Sequence, residues 1–339
     1  MINQRSSNFE LLRIILILMV IVLHYFNGEM GGLLKNVEKW SLNFYLSHFI
    51  ESLCIIAVNV FIIITGYFSY KKTSIKISKP LNLYALSIFY GIIISGIIFF
   101  LQKNNLSLSI IKNLVQTIFS RWFVVIYCIL YLLIPYINKL ISNLSKKQLK
   151  TLIIINSIFF YIWYTFFTNA TIADGGYGIV NFINLYMIGA YIRLYRKETP
   201  SKLKNFSIYI VCTLITTLYS LFANRPWAYS TIFNLISSIA FFELFRGINI
   251  YNSKIINTLS SYTFAIYIIH ENSFLVRILY RNFFKSDLYW NSNYMILNLI
   301  ISVISIYIIC IVIEFFRRLI FKKLIDDNID KVKYEIRVD

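Results

Sequence analysis

The first apolar stretch of the chain contains two residues that could do chemistry, Arg13 and His24. An arginine inside a membrane helix costs roughly 2.5–3.5 kcal/mol on insertion scales, so it is a candidate for function. The step from residue 13 to residue 24 makes three helical turns plus about 20°, which places both side chains on one face, roughly 16 Å apart along the axis. Imidazole titrates near neutrality, so His24 is a candidate general base or acyl carrier. The pair predicts a site that reaches across the membrane.

Each of these residues also has a purely structural interpretation. Arg13 could extend toward the membrane interface and pair with Glu10 on the same helix, and His24 could be a hydrogen-bonded packing residue. A second imidazole, His270, lies about nine residues into a later apolar stretch and is followed by Glu271. We expect His270 to belong to the site, although a polar contact between helices is the alternative. Glu10 and Glu271 are candidates for acceptor binding or support.

Two further groups of residues fit a ligand role. Arg121 and Trp122 begin an apolar helix on the outer side, where a cation gains nothing from the helix dipole, so they are candidates for acceptor binding or support. An interfacial aromatic belt is the alternative for Trp122. The loop between the second and third spans carries Lys71, Lys72 and Lys76, which could bind the phosphates of a cytosolic ligand. Membrane topology alone would also explain this loop.

The remaining titratable residues offer less chemistry. His48 and Glu51 lie about one helical turn apart at the outer start of the second span, where we expect a water-exposed interfacial pair. The four cysteines fall inside apolar stretches without paired spacing, so we expect small core residues rather than disulfides or metal ligands. The chain has no phosphate-binding loop, zinc-protease motif or serine-hydrolase motif. We therefore expect no metal and no ATP-driven pump.

The elements that hold these residues are membrane helices. Of the 339 residues, 58% are hydrophobic and only 14% are charged, and apolar stretches recur along the whole chain. The net charge of +18 does not indicate nucleic-acid binding, because the basic residues lie mostly in short loops beside anionic lipid. We predict an all-α, polytopic membrane protein with about ten spans. The spans run approximately over 9–27, 48–69, 81–101, 119–139, 151–168, 178–195, 205–223, 229–246, 261–280 and 293–316.

The positive charges predict the orientation of these spans. Far more Lys and Arg residues fall in the loops on the side of the N-terminus than in the loops on the other side, which predicts that both termini are cytoplasmic. The first apolar run is long for a signal peptide and no cleavage site follows it, so we expect a retained helix. We assign residues 1–320 to a transmembrane domain and residues 321–339 to a short charged cytosolic tail, either an amphipathic helix or disordered.

The order of short motifs along the chain resembles the acyltransferase 3 family of membrane acyltransferases. The first motif is an arginine, ten residues and a histidine in the first span, here Arg13 and His24. Four later segments are similar to family motifs and occur in the family's order: Asn59–Phe68, Ser120–Phe123 with Tyr131–Pro135, Asn181–Ala190, and Tyr262–His270. The chain departs from the pattern at Thr65, where the family has Ser, and at Glu10, where the family often has Asp.

This resemblance implies a stand-alone bacterial enzyme of the plasma membrane that O-acylates a surface glycan. It implies an acyl-CoA donor, foremost acetyl-CoA as a co-substrate, and an acceptor hydroxyl on a polysaccharide or lipid-linked oligosaccharide. Arg13 and the lysine loop would receive the CoA phosphates, and His24 would be the base or acyl carrier with His270 in support. The alternatives are a transporter or flippase, which usually has broken spans or paired halves, and a glycan polymerase, which more often has a large outer loop.

Overall fold

The computed structural model describes residues 6–102, 112, 115, 118–119, 121–167, 174–322 and 326–338. This part of the chain is almost entirely helical, as the apolar pattern predicts. Its first helices are α1 (Ser7–Phe26), α2 (Leu33–Asn36), α3 (Leu42–Cys54), α4 (Ala57–Ser69), α5 (Ser78–Gln102), α6 (Trp122–Asn143) and α7 (Lys146–Phe166, π-helical over Ile158–Ile162). The later helices are α8 (Ile179–Tyr195), α9 (Lys202–Tyr219), α10 (Ile232–Arg246), α11 (Lys254–Ser260), α12 (Thr263–His270), α13 (Ser273–Arg277, followed by a π-helical turn), α14 (Met295–Phe321) and α15 (Asp326–Asp330).

Six helical segments in the described residues are long and apolar enough to cross a membrane, so the chain is a polytopic membrane protein. They are Ser7–Phe26, Leu42–Ser69, Ser78–Phe100, Trp122–Asn143, Lys146–Phe166 and Met295–Phe321. Helix α8 is apolar but shorter. The other predicted spans correspond to helices that are shorter or more polar than these six, so the count of ten and the cytoplasmic termini stay predictions.

Helix α1 lies at the centre of the bundle. It packs against α3, α4, α10, α11, α12 and α14, and its side chains Leu12, Leu16 and Ile21 are fully buried. By contrast, α14 exposes a row of isoleucines, including Ile300 and Ile304, on its outer side. Apolar side chains on the outside of a membrane bundle face lipid, so α14 lies at the periphery while α1 positions the site.

Helices α4 and α8 cross at two glycines, which explains the glycine in each of two family-like motifs. A Cβ atom at Gly66 would lie 2.1 Å from the carbonyl oxygen of Tyr186, and one at Gly189 would lie 2.2 Å from that of Ile63. Only a residue without a side chain permits this approach of two backbones, a common way of packing membrane helices. The crossing holds α4 in place beside α1.

The helix ends form two faces. At the first, which we call the N-terminal face, α1 begins: Ser7 donates to Asn257 at 3.0 Å, and Arg318 at the end of α14 donates to the backbone oxygen of Ser261 at 2.7 Å. At the other, which we call the far face, α1 ends, and Arg277 donates to the backbone oxygen of Glu29 at 2.8 Å. The start of α1 and the end of α14 therefore lie on the same face.

The charged tail differs from the prediction of a helix or a disordered segment. Its short helix α15 is followed by a strand, β2 (Glu335–Arg337), which pairs antiparallel with β1 (Ser74–Lys76) of the lysine loop. Ile75 lies opposite Ile336 and is buried, so the two strands share an apolar contact. Pairing with a distant loop satisfies the backbone of a segment too short to form a stable element alone.

Candidate active site

The structure brings His24 and His270 together. His24 lies near the end of α1 and His270 is the last residue of α12, and their ring centroids are 4.8 Å apart. Nδ1 of His270 lies 2.5 Å from the backbone oxygen of Ile266. Because a carbonyl oxygen can only accept, we assign the proton of His270 to Nδ1, which leaves a lone pair on Nε2. Nε2 of His270 and Nδ1 of His24 are both buried, and neither atom has a hydrogen-bond partner among the described residues.

A break in the ninth predicted span creates this arrangement. The single helix that we expected over residues 261–280 is wrong, because α12 ends at His270 and the chain leaves the helix at Glu271 and Asn272 before α13 begins. The break turns the carboxylate of Glu271 toward Arg121, whose Nη1 lies 3.5 Å from Oε2 of Glu271. The side chain of Arg121 is 3% exposed, so this ion pair is almost entirely enclosed by protein.

Arg121 also binds the C-terminal end of α12. Its guanidinium donates to the backbone oxygen of Ile268, one of the last carbonyls of that helix. Terminal carbonyls of a helix lack partners within it, and a cation at that end is favourable for the helix dipole. Arg121 gains nothing from the dipole of α6, and its side chain instead serves the end of another helix; acceptor binding or support by Arg121 and Trp122 stays a prediction. Trp122, the next residue, packs against Tyr177 with ring centroids 5.0 Å apart.

Arg13 lies at the N-terminal face, apart from the histidine pair. Its Nη1 atom is 2.5 Å from Oε1 of Glu10, and the hydroxyl of Ser260 donates to the other carboxylate oxygen. The predicted ion pair with Glu10 is therefore present. On α1, Arg13 is roughly 16 Å along the axis from His24, so the two residues take part in one site only if a ligand spans them.

A cavity of about 460 Å³ extends between these two ends. Arg13 and Glu10 line one end, and Val20, one turn before His24, lies toward the other. Tyr267 also lines the cavity, and its ring centroid is 6.5 Å from that of His270. The cavity can therefore hold a narrow, extended molecule that reaches from Arg13 toward the histidine pair.

A second pocket, which we call the arginine pocket, opens at the N-terminal face and has a volume of about 950 Å³. It shares Glu10 and Arg13 with the cavity and adds Arg193 and Arg246. Nη1 of Arg193 donates to the hydroxyl of Tyr67 at 2.9 Å, while Arg246 is paired with a buried carboxylate. Three guanidinium groups at one opening suit an anionic ligand with phosphate groups.

The lysine loop lies next to the arginine pocket, since Tyr70 lines that pocket and directly precedes Lys71. Nζ of Lys72 donates to Ser69 at 3.0 Å, and Nζ of Lys71 lies over the ring of Tyr70. Lys76 is part of β1. The residues that line the arginine pocket and the cavity in the described part of the chain do not include these three lysines. Acyl-CoA binding by the loop stays a prediction.

Sequence reasoning missed Arg193 and Arg246. Both lie near the ends of predicted spans on the N-terminal face, where positive charge is also expected from topology alone. Their charge is therefore no signal of a ligand, and only the folded structure places them beside Arg13.

The expectation that His48 and Glu51 form a water-exposed pair is wrong, because both are buried. Nδ1 of His48 instead contacts Oγ of Ser220 at 2.8 Å.

Comparison with known proteins agrees with the order of motifs along the chain. A family model described as an acyltransferase domain matches residues 6–315, which include Arg13, the histidine pair, Arg121 and Glu271. No curated protein and no solved structure matches the chain. Since the match covers nearly the whole chain, the protein is a membrane acyltransferase that belongs to the acyltransferase 3 family.

Proposed function

We propose that the protein is a membrane O-acyltransferase that moves an acyl group, foremost acetyl, from acyl-CoA to a hydroxyl of a surface or lipid-linked polysaccharide. The donor enters at the N-terminal face, which is cytoplasmic in this proposal, and the acceptor arrives at the far face. The protein acts in the plasma membrane of a bacterium. The observation that carries the proposal is the pair His24 and His270, which lies beyond the inner end of a cavity that begins at Arg13.

The arginine pocket supports binding of the donor. CoA carries several phosphate groups and a long, thin pantetheine arm that ends in the thioester. Arg13, Arg193 and Arg246 offer the fork-shaped donors that phosphates bind best. The cavity of about 460 Å³ shares Arg13 with this pocket, is lined mostly by apolar side chains, and leads toward the histidine pair, where it can take the arm. The phosphates then stay at the face while the thioester reaches into the membrane.

The histidine pair supplies the proton transfer. In direct transfer, a lone pair of His24 takes the proton of the acceptor hydroxyl, whose oxygen forms a bond to the thioester carbon. The carbon–sulfur bond breaks, and the CoA thiolate takes the proton from the imidazolium. In the two-step route, nitrogen of His24 forms a bond to the acyl carbon as the carbon–sulfur bond breaks, and the CoA thiolate takes the proton displaced from the imidazole. The acceptor hydroxyl then attacks this acyl-imidazole, the carbon–nitrogen bond breaks, and the hydroxyl proton passes to the released imidazole. In both routes the products are CoA thiol and an ester.

Arg121, Glu271 and the helix break support both routes by holding His270. The break at Glu271 is also the feature expected of a transporter for lipid-linked glycans. In this chain an enclosed ion pair and a hydrogen bond to Ile268 fix the break, whereas a moving gate would need contacts that open. The break therefore serves to present His270 to His24.

The proposed function is tested with the full chain in lipid nanodiscs. The substrates are acetyl-CoA with an isotope label in the acetyl group and surface polysaccharide from producing cells, de-O-acylated with mild base. The expected result is base-labile label in the polysaccharide and an equal amount of free CoA thiol, both lost in His24→Ala. Transfer that survives in His24→Ala would contradict the mechanism.

Deletion of the gene in producing cells, followed by proton NMR of the polysaccharide, separates the alternatives. Loss of O-acetyl signals that only the wild-type gene restores supports the enzyme. Unchanged acetylation with a lower polymer yield or length would instead indicate transport or polymerisation.

A further inference from the structure

A third pocket opens at the far face, away from the arginines, and has a volume of about 590 Å³. We call it the far-face pocket. Helix α3, residues 174–177 and the connection between α9 and α10 form its walls. Aromatic rings and polar groups alternate around it: Phe44, His48, Tyr164, Tyr177, Arg225 and Trp227. Flat apolar rings beside hydrogen-bonding groups are the surface that a sugar ring needs, since it has an apolar C–H face and polar edges.

The rings of the far-face pocket are held in fixed positions. The ring of His48 packs between Phe44 and Trp227, with centroid distances of 4.1 and 5.0 Å. Nε1 of Trp227 donates to Oγ of Ser52 at 3.0 Å, which fixes the indole. Such fixed aromatic side chains lose little entropy when a ligand binds.

Hydrogen bonds also determine the tautomer of His48. The hydroxyl of Ser220 donates to the backbone oxygen of Thr217 at 2.6 Å, so its oxygen accepts from Nδ1 of His48. The proton of His48 therefore lies on Nδ1, and Nε2 is left as an acceptor. An imidazole acceptor between two aromatic rings suits a sugar hydroxyl.

The far-face pocket includes a buried polar group that has no hydrogen-bond partner within the described part of the chain. The hydroxyl of Tyr164 is buried and makes no hydrogen bond there. Nearby, Oε2 of the buried Glu51 is likewise without a partner. Arg225 and Asp174 also line the pocket; both are exposed, and Oδ1 of Asp174 accepts from the backbone N–H of Gly176 at 3.0 Å. Buried polar groups without partners are costly, so such groups in a pocket indicate a ligand that supplies hydrogen bonds.

The far-face pocket is connected to the histidine pair by aromatic residues. Tyr177, which lines the pocket, contacts Trp122 with ring centroids 5.0 Å apart. Trp122 follows Arg121, which is paired with Glu271 next to His270. Side-chain contacts and the chain itself thus link a ligand in the pocket to the histidine pair, although neither residue of that pair lines the pocket.

We propose that the far-face pocket binds a saccharide unit of the acceptor, next to the unit whose hydroxyl is acylated at His24. This inference rests on the proposed function and adds the place where the acceptor is recognised. Trp227 stacks on the sugar ring, and Nε2 of His48, the hydroxyl of Tyr164 and the side chain of Arg225 bind its hydroxyls. The pocket thereby selects which glycan is acylated, while the chemistry takes place at the histidine pair.

The test uses the full chain in nanodiscs and, as the probe, short oligosaccharides cut from base-treated surface polysaccharide of producing cells. In Trp227→Ala we expect about tenfold weaker oligosaccharide binding and a similar rise in the KM for oligosaccharide, as for loss of an aromatic anchor. The KM for acetyl-CoA stays at the wild-type value. Trp227→Phe keeps the ring and most of the binding. Trp163→Ala, a partly exposed tryptophan outside the pocket, is the matched control and binds like the wild type.

Arg225→Ala is a second variant that keeps the test decisive if Trp227→Ala does not fold, as judged by circular dichroism. Arg225 is exposed, so its removal leaves the fold intact while weakening oligosaccharide binding. Unchanged binding and unchanged acceptor KM in the folded variants would overturn the inference. If the wild type binds oligosaccharide through Trp227 but transfers no acetyl group, the far-face pocket is supported and the proposed function fails.

Discussion

His24 and His270 come from opposite ends of the chain, yet their rings lie 4.8 Å apart, with planes inclined by 45°. Each ring has a buried nitrogen without a hydrogen-bond partner in the described part of the chain. Two such nitrogens at one point are costly for stability and useful for proton transfer. This pairing, rather than the alignment of Arg13 with His24 along α1, defines the centre of the site.

Replacement of either histidine is expected to lower the rate of transfer. His24→Ala should reduce kcat by roughly 10²–10⁴-fold, the usual contribution of a general base, and His270→Ala should reduce it less, because His270 supports rather than attacks. The measurement is label transfer from acetyl-CoA in nanodiscs. Mass spectrometry of the wild type after donor alone distinguishes the two routes, since only the two-step route leaves an acyl group on His24. Equal activity of His24→Ala and wild type would refute this assignment.

The ion pair between Arg121 and Glu271 is expected to stabilise the fold as well as support activity. Removing one partner of a buried pair typically costs about 3–5 kcal/mol, because the other charge stays buried. Arg121→Ala should therefore lower the unfolding temperature clearly and reduce kcat, whereas Arg121→Lys keeps the charge but loses the fork-shaped contact with Ile268.

Thermal unfolding in detergent and label transfer are measured on the same preparations. Arg277→Ala is the control, because its ion pair with Glu29 is exposed and contributes little. An unfolding temperature of Arg121→Ala no lower than that of Arg277→Ala would argue against a structural role for the pair.

The arginine pocket predicts a specific effect on the donor. Arg193→Ala and Arg246→Ala should each raise the KM for acetyl-CoA by about tenfold, the loss expected for one charge-assisted hydrogen bond, while the acceptor KM stays unchanged. The KM should also rise with salt, because the contacts are ionic. Initial rates over a range of acetyl-CoA concentrations give these values.

Arg196→Ala is the matched control, since Arg196 pairs with the same buried Glu243 as Arg246 but does not line the arginine pocket. Alanine variants of Lys71, Lys72 and Lys76 test the lysine loop in the same assay. If the KM for acetyl-CoA rises in the lysine-loop variants but not in Arg193→Ala or Arg246→Ala, the donor site lies at the loop instead.

The strand pair predicts that the tail protects the lysine loop. Ile336→Asp places a carboxylate opposite the buried Ile75 and should release β2 from β1. Trypsin added to membrane vesicles open at the N-terminal face should then cut after the loop lysines severalfold faster than in the wild type. Val332→Asp alters an exposed residue of the same tail and should leave the cutting rate unchanged. Equal cutting of Ile336→Asp and wild type would show that the pairing gives no protection.

The pKa of Lys72 in the lysine loop gives a further prediction. Burial, and next the nearby charge of Lys79, lower the pKa of Lys72 below the ordinary lysine value. Between the lowered pKa and that ordinary value, the unfolded chain holds more protons than the folded one, so stability rises with pH across this window. Competitive acetylation followed by mass spectrometry should give a labelling midpoint for Lys72 below that of a free lysine. In Lys79→Met the midpoint should move part of the way back, because burial remains; no movement would remove Lys79 as a cause.

Sequence reasoning reached the fold class and the residue types of the site, because long apolar runs and a membrane-embedded arginine or histidine are strong signals. It placed Arg13 and His24 on one helix face, but only the family resemblance put His270 in support of His24, since contact between distant helices leaves no local pattern. The break after His270 was also hidden, because no glycine or proline marks it. At the break, the side chain of Asn272 caps the next helix by accepting from the backbone N–H of Leu275, and the enclosed pair of Arg121 and Glu271 lies beside it.

The pairing of β1 with β2 has a consequence for how the protein is made. The ribosome produces Ser74–Lys76 well before Glu335–Arg337, so the loop after α4 has no partner strand until α14 has been translated. A nascent chain that stops short of residue 335 leaves that loop open on the N-terminal face. The loop after α4 is therefore covered only once translation has passed α14, because its partner strand follows that helix.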